Sequence, residues 1–326
     1  MLTDKFGRIH NYLRISLTDK CNLRCNYCMP DVCSSFLTQD KIMTAQEIEH
    51  IAVEFIKLGV NKIRLTGGEP LVRNDFEDIV RRLSKYNIEL LLTTNGVLID
   101  KYFNSILAAG ITTVNVSLDS LNRESFFKIT HQDKFNEVWR NILLLLKHNF
   151  RVKLNVVAVN GVVEKEIFDF IGLTKELSLH VRFIEFMPFA GNKWSKNKVV
   201  TSVQMLKWVE QSYDIIKLKD EPHATSKKYK VVGHEGTFAF ITTMSEQFCG
   251  ECNRIRLTAD GKMKNCLFGK DEIELLTTLR KGDSIIPLII QSVNAKHAAL
   301  GGQFDNNYNE IVPDKIINRG MFSIGG

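Results

Sequence analysis

Residues 12–28 read YLRISLTDKCNLRCNYC: a β-rich run that passes straight into a loop holding three cysteines and no histidine. Leu13, Ile15 and Leu17 alternate with Tyr12, Arg14 and Ser16, which is the period-2 pattern of a strand with one buried face. The loop after it, Cys21-x3-Cys25-x2-Cys28, is too polar to be core and too rich in thiols to be an ordinary connection. The rest of the fold is read outward from this first strand.

The same unit recurs. Further β-rich runs are NKIRLT (61–66), IELLLT (88–93), TVNVSL (113–118), VKLNVVAV (152–159) and HVRFIEF (180–186). Amphipathic stretches lie between them: TAQEIEHIAVEFIKLG, NDFEDIVRRLSKY, DKYFNSILAAG, FNEVWRNILLLLKHNF and EKEIFDFIGLTKELS. In the first of these Thr44 and Glu47 form a capping box, and Gly59 stands where a C-terminal cap belongs. Six strands alternating with helices predict an α/β fold of parallel βαβ units, either a doubly wound sheet or a barrel. In both, ligands bind at the carboxyl ends of the strands. Those ends carry the cysteine loop, TGGEP, TTNG and SLDS, with KLN inside the fifth run and EFMP closing the sixth.

Near residue 205 the alternation stops, which predicts one domain over 1–205 and a smaller one over 206–326. TSVQMLKWVEQSYDII reads as a helix, followed by short strands in KKYKVV, TFAFITT and RIRLTADGKMKNCLF, where Asp260–Gly261 is a hairpin signal. Two helical stretches and a tail ending in SIGG come after. A content of 44% hydrophobic and 25% charged residues places the chain among ordinary globular enzymes, and no tract is of low complexity. No apolar run approaches the roughly 18 residues that span a bilayer, and the N-terminus has no apolar signal region, so the expected location is the cytoplasm, with no membrane partner. The net charge of +6 favours an anionic partner or is simply a solvated surface.

Seven cysteines clustered as three, one and three fit metal binding better than disulfides in that compartment. A fully ligated 4Fe–4S cluster takes four thiolates, so three leave one iron open to bind something else. The alternative is a structural zinc held by Cys21, Cys25, Cys28 and Cys33, although Cys33 reads better as a bystander thiol. Cys249-x2-Cys252-x13-Cys266 repeats the arrangement in the second region, with a zinc knuckle as its own alternative.

Cys-x3-Cys-x2-Cys with Tyr27 before the last cysteine, together with TGGEP at 66–70, resembles the radical S-adenosylmethionine superfamily. The resemblance implies a partial (β/α)6 TIM-type barrel with a 4Fe–4S cluster at its mouth, whose open iron binds the amino and carboxylate groups of S-adenosylmethionine. GRIHNYLRISLTDKCNLRCNYCMP, IRLTGGEPLVR, NVSLD, RFIEFMPFAGNKW, CGECNRIRLTADGKMKNCLF and the R-x-M-x-x-I-G-G tail resemble, more narrowly, the GTP 3′,8-cyclase family of molybdenum cofactor biosynthesis. That resemblance covers residues 7 to 326 and implies a second 4Fe–4S cluster on Cys249, Cys252 and Cys266, in a C-terminal domain that caps the barrel mouth. Tyr27, Gly68, Ser117 and Met187 would hold S-adenosylmethionine. Arg14, Arg64, Thr93, Lys153 and the Arg254-Ile255-Arg256 segment would hold GTP. Arg254 and Arg256 would also act in catalysis, with Gly325 and Gly326 inserted into the cavity. Read singly, each arginine is as well explained as a surface residue and the tail as a loose end; three basic residues on one rim favour a triphosphate.

The reaction implied is abstraction of the ribose 3′ hydrogen of GTP by a 5′-deoxyadenosyl radical. Attack of C3′ on C8 comes next, then reduction and protonation to 3′,8-cyclo-7,8-dihydro-GTP. The partners implied are a low-potential electron donor, a downstream cyclic pyranopterin monophosphate synthase and a second copy of the chain, with no nucleic acid. Two rivals stand beside this reading: a peptide-modifying radical enzyme with an auxiliary cluster, and a zinc-stabilised nucleic-acid-binding protein.

Overall fold

Six parallel strands form the centre of the molecule: β1 Tyr12–Ser16, β2 Lys62–Thr66, β3 Glu89–Thr94, β4 Thr113–Ser117, β5 Arg151–Ala158 and β6 His180–Glu185. Each pairs with the next in chain order, with Arg14 opposite Arg64, Thr93 opposite Asn115 and Lys153 opposite His180. The computed structural model describes residues 1–29, 36–304, 308–312 and 315–325. Cys33 and Gly326, both singled out in the sequence, lie outside the described residues.

The region after residue 205 extends this sheet at both edges. Its strands are β7 Ile215–Lys217, β8 Ser226–Val231, β9 Thr237–Ile241, β10 Arg254–Leu257, β11 Lys262–Lys264 and β12 Ile273–Glu274. The order across the sheet is β12-β11-β10-β1-β2-β3-β4-β5-β6-β9-β8-β7. β10 runs parallel to β1 and β9 parallel to β6, so eight parallel strands lie side by side with antiparallel hairpins outside them. The β10–β11 hairpin turns at Asp260–Gly261, where Gly261 adopts a positive φ of 69° and a Cβ would lie 2.3 Å from the Leu276 side chain.

Helices cover one face of the barrel wall. They are α1 Ala45–Lys57, α2 Phe76–Leu83, α3 Ile99–Ala108, α4 Arg123–Thr130, α5 Phe135–Lys147, α6 Val163–Gly172 and α7 Ser202–Glu210. The Thr44–Glu47 capping box forms as expected. α4 adds to the expected helices: its sequence, RESFFKIT, has little apolar periodicity, and Asn122 starts it by accepting from the Ser125 amide. Leu13, Ile15, Ile63, Leu65, Leu92, Val114, Leu154 and Phe183 point outward from the strands into a core shared with Ile48, Ile51, Phe55, Phe76 and Ile79 of the helices. Alternation then forces the other residues of each strand inward.

Glu185, at the end of β6, joins the six-unit region to the segments beyond it. Its carboxylate is fully buried and accepts from the amides of Ser202 (2.9 Å), Met244 (2.8 Å) and Ser245 (2.8 Å), and from the Ser245 hydroxyl. Removing it would leave the buried amides of Ser202 and Met244 without an acceptor, at about 1 kcal/mol or more each. Glu185→Ala is expected to lower stability in urea unfolding of the metal-free chain by about 2 kcal/mol, and Glu185→Gln by less.

Candidate active site

The loop after β1 holds the first three cysteines against the turn after β2. A Cβ on Gly68 would sit 2.4 Å from the Lys20 carbonyl oxygen, so only glycine allows this approach, and the Gly68 amide bonds the Thr18 carbonyl at 2.7 Å. Cys21 Sγ accepts from the Leu23 amide at 3.4 Å and from Asn95 Nδ2 at 3.7 Å. Burial pushes the Cys25 thiol well up, and the charges of Asp119, Cys28 and Cys21 add to this. None of the described cysteines is in a disulfide.

The second triad is built differently. Cys249 and Cys252 flank the turn before β10, and Cys266 comes just after β11. With Arg254, Arg256 and Phe268 they line one cavity. Burial pushes the Cys252 thiol up, but Lys296 and Arg254 outweigh it and hold its pKa below the ordinary value. Among the described residues no three Cys, His, Asp or Glu side chains close tightly enough to grip a single ion. An iron–sulfur cluster is a wider cage with one thiolate to each ligated iron, and free thiols with N–H donors on their sulfurs fit it.

Between the triads, the inner face of the sheet is a belt of cations. Arg14, Arg64, Lys153, Arg182, Arg254 and Arg256 come from β1, β2, β5, β6 and β10. Arg14 stands in register with Arg64 on one side and Arg256 on the other. Burial and neighbouring cations lower the pKa values of four of them: Arg14 well below the usual range, Arg182 to about 9, Arg256 to about 10 and Lys153 to about 8. Among the described residues no carboxylate forms a salt bridge with Arg64, Lys153, Arg182, Arg254 or Arg256. Arg64 donates to the Tyr12 hydroxyl (2.5 Å), the Leu92 carbonyl (2.9 Å) and Thr93 Oγ1 (3.3 Å). Arg254 lies between the rings of Tyr12 and Phe248. Ile255 turns to the opposite face and is wholly buried in the helix-side core, so only its backbone faces this space.

Sequence reading missed Arg182, Tyr12 and Asn155. Nε and Nη2 of Arg182 are buried without a partner, as is Oδ1 of Asn155, its register neighbour. The signal was present in HVRF: Val181 and Phe183 face the helices, so His180 and Arg182 must face inward.

Beside the first triad a cavity of about 820 Å³ is lined by Tyr27, Met29, Asp119, Val157 and Phe186 among others. Tyr27 donates to Asp119 Oδ2 at 2.5 Å while the Val157 amide donates to Oδ1 at 2.8 Å. Of the other residues expected at S-adenosylmethionine, Gly68 packs on the cysteine loop, Ser117 ends β4 and Met187 joins the apolar clusters around Phe186 and Phe189. Glu69, within TGGEP, carries no role in the sequence reading. It is buried and accepts from Thr94 Oγ1 (2.7 Å) and the amides of Asn95 (2.6 Å) and Leu71 (3.0 Å), and burial pushes it up to about 7.

Residues 321–325 enter the barrel. Ile324 is buried with Phe189, Phe268 and Leu300, and the Gly325 carbonyl accepts from Arg256. Gly325 has a φ of 76°, and a Cβ there would meet Thr66 Oγ1 at 2.3 Å and Ser16 Cβ at 3.2 Å.

Residues 15–173 match the Radical SAM superfamily, and residues 179–300 match the family described as Molybdenum Cofactor Synthesis C. GTP 3′,8-cyclase, mitochondrial, of Arabidopsis thaliana is 41% identical over 100% of this chain and 84% of that protein. GTP 3′,8-cyclase of Desulforamulus reducens is 42% identical over 87% of the chain and 89% of that protein. The chain belongs to the GTP 3′,8-cyclase family. As a radical SAM member of that family it uses S-adenosylmethionine and an iron–sulfur cluster. It spans about half the length of other relatives, including 52% of Molybdenum cofactor biosynthesis protein 1 of Dictyostelium discoideum, at 42% identity. In fold it is similar to Streptococcus suis SuiB bound to S-adenosylmethionine, with a TM-score of 0.60, 14% identity, and coverage of 83% of this chain and 65% of that one. That fold is the expected partial barrel. Among the described residues no helix is long and apolar enough to cross a membrane.

The contacts of Gly325 carry a prediction. Gly325→Ala is expected to expel the tail, because the left-handed backbone and the 2.3 Å approach to Thr66 both reject a methyl group. Carboxypeptidase should then trim the variant's tail many times faster than the wild type's, with circular dichroism unchanged.

Proposed function

We propose that the protein is a GTP 3′,8-cyclase catalysing the first step of molybdenum cofactor biosynthesis, with two 4Fe–4S clusters, one on each cysteine triad. The observation that carries the substrate is the belt of six inward cations. Among the described residues five of them, Arg64, Lys153, Arg182, Arg254 and Arg256, form no salt bridge with a carboxylate; a buried charge without a counter-ion is costly, so the surface favours a polyanion. A nucleoside triphosphate supplies several negative charges, and guanidinium groups bind its oxygens bidentately.

Bound at the first triad, a cluster and S-adenosylmethionine supply a carbon-centred radical that takes hydrogen from an unactivated carbon. The work of this chain is placement. Arg14, Arg64, Lys153 and Arg182 would fix the phosphates, and Thr93 and Tyr12 hold Arg64 in its orientation. Cys249, Cys252 and Cys266 would carry the second cluster beside the guanine. Arg254, Arg256 and the tail at Gly325 would close the space between ribose and radical, since the hydrogen removed is the one held nearest. Tyr27, Gly68, Ser117 and Met187, joined by Glu69 and Asp119, would hold S-adenosylmethionine. Residues 1–205 would form the radical core and supply the phosphate-binding cations, and 206–326 would carry the second cluster and the guanine side of the GTP site. A low-potential electron donor, a downstream enzyme making cyclic pyranopterin monophosphate and a second copy of the chain complete the expected partners.

The deciding experiment is anaerobic turnover of the reconstituted protein with dithionite, S-adenosylmethionine and GTP deuterated at ribose C3′. Deuterium should appear in 5′-deoxyadenosine as GTP is consumed; unlabelled 5′-deoxyadenosine would show that another molecule is the hydrogen donor. A second expectation concerns pH. In the free site Lys153 titrates at about 8, lowered by burial and by Arg182, and a bound triphosphate raises that value. Below pH 8 the proton is already present, so affinity is at its plateau. Above it, binding must take up a proton, and GTP affinity should fall by up to about tenfold per pH unit. Calorimetry between pH 7 and 9 measures this, and Lys153→Arg should flatten the profile.

A further inference from the structure

Lys296 lies in the segment after the helix Ile286–Asn294 and is 2% exposed. Its Nζ is 2.7 Å from the Arg254 carbonyl, 2.7 Å from the Asn265 carbonyl and 3.9 Å from Cys252 Sγ. All three neighbours accept, so all three protons of an ammonium group are used, and a neutral amine would leave one acceptor empty. Among the described residues no carboxylate forms an ion pair with it. Asp4, an acid whose charge reaches it, is taken by Arg8 at 2.6 Å and His10 at 3.0 Å.

The same short segment reaches the whole triad. Lys296 joins the strand just after Cys252 to the residue that precedes Cys266. Arg8 donates to the carbonyls of Cys249, Ala298 and His297, each at 2.8 Å. The three cysteine-bearing pieces of backbone therefore hang from residues 296–298, and one of the two side chains that hold them carries its charge against a sulfur.

We infer that Lys296 is a positioning residue of the second triad: it fixes the three cysteine segments at cluster spacing and sets a positive charge and an N–H donor on the Cys252 sulfur. This rests on the two-cluster reading proposed above. A cluster that accepts one electron gains one negative charge, with no bond made or broken. A fixed cation and an N–H···S bond stabilise that reduced form and raise the potential. Lys296 thereby holds the second cluster's potential above the value it would have without the cation.

The test is an anaerobic potentiometric titration, followed by electron paramagnetic resonance, of the reconstituted full chain and its Lys296→Gln and Lys296→Arg variants, with iron counted in each. S-adenosylmethionine identifies the first cluster's signal by perturbing it, and GTP identifies the second. A wild type carrying one cluster's worth of iron would overturn the two-cluster reading itself. With two clusters present, Lys296→Gln should move the second midpoint to more negative potential, leave the first in place, and be matched to wild type by Lys296→Arg. Loss of the second cluster's iron from Lys296→Gln alone, with circular dichroism unchanged and Lys296→Arg fully loaded, also supports the assignment. An unchanged second midpoint in a fully loaded Lys296→Gln overturns it, as does equal loss of iron from both variants.

Discussion

Six like charges on one inward surface are the constraint around which this molecule is arranged. Placed in separate strands, Arg14, Arg64, Lys153, Arg182, Arg254 and Arg256 would each be an unremarkable surface residue. Gathered on a curved sheet, they depress the proton affinity of Arg14, Arg182 and Arg256 and create a space that favours negative charge. The folded state tolerates this because the opposite face of the same strands is almost entirely apolar. Leu13, Ile15, Ile63 and Leu65 alternate with the very cations they position, and are wholly buried under the helices. Stability comes from one side of the wall and affinity from the other.

This arrangement was legible in the sequence to the extent that it came from local pattern. The six βα units, the Thr44–Glu47 cap and the Asp260–Gly261 turn were all written in neighbouring residues. So was the delivery of the cysteine loop and TGGEP to one rim. Arg14 and Arg64 could be read as a pair because both strands were visible. What could not be read was long-range. Nothing within RIRLTADG announces that its strand lies beside Tyr12–Ser16, some 240 residues earlier, yet that pairing puts Arg256 next to Arg14. Tyr12 looked like a strand residue and nothing more until its hydroxyl met Arg64. Lys296 carries no motif at all; its meaning lies in two carbonyls and a sulfur supplied by other parts of the chain.

The two cysteine triads illustrate two ways of holding three thiols. The first is local, a loop of eight residues whose shape is set by turns and by a glycine that lets another loop approach. The second is assembled from distant pieces, with Arg8 of the N-terminal segment and residues 296–298 as its frame. A local site survives small movements elsewhere, whereas an assembled site reports them. The tail at Ile324–Gly325, packed beside Leu300 and Phe268 and bonded to Arg256, is part of the same frame.

The parallel pairing of β10 with β1 has a consequence for how the protein is made. Until β10 emerges from synthesis, β1 is an exposed edge strand directly preceding three reactive thiols, and the sheet ends beside the cysteine loop. Pairings of such sequence separation are slow to form, and uncovered edges invite association with other chains. A nascent chain of this protein is therefore most at risk while its first strand waits for a partner nearly the whole chain away. Closing that edge brings Cys249 and Cys252 in with the strand that does it, while Cys266 and residues 296–298, which complete the second triad, follow later in the chain.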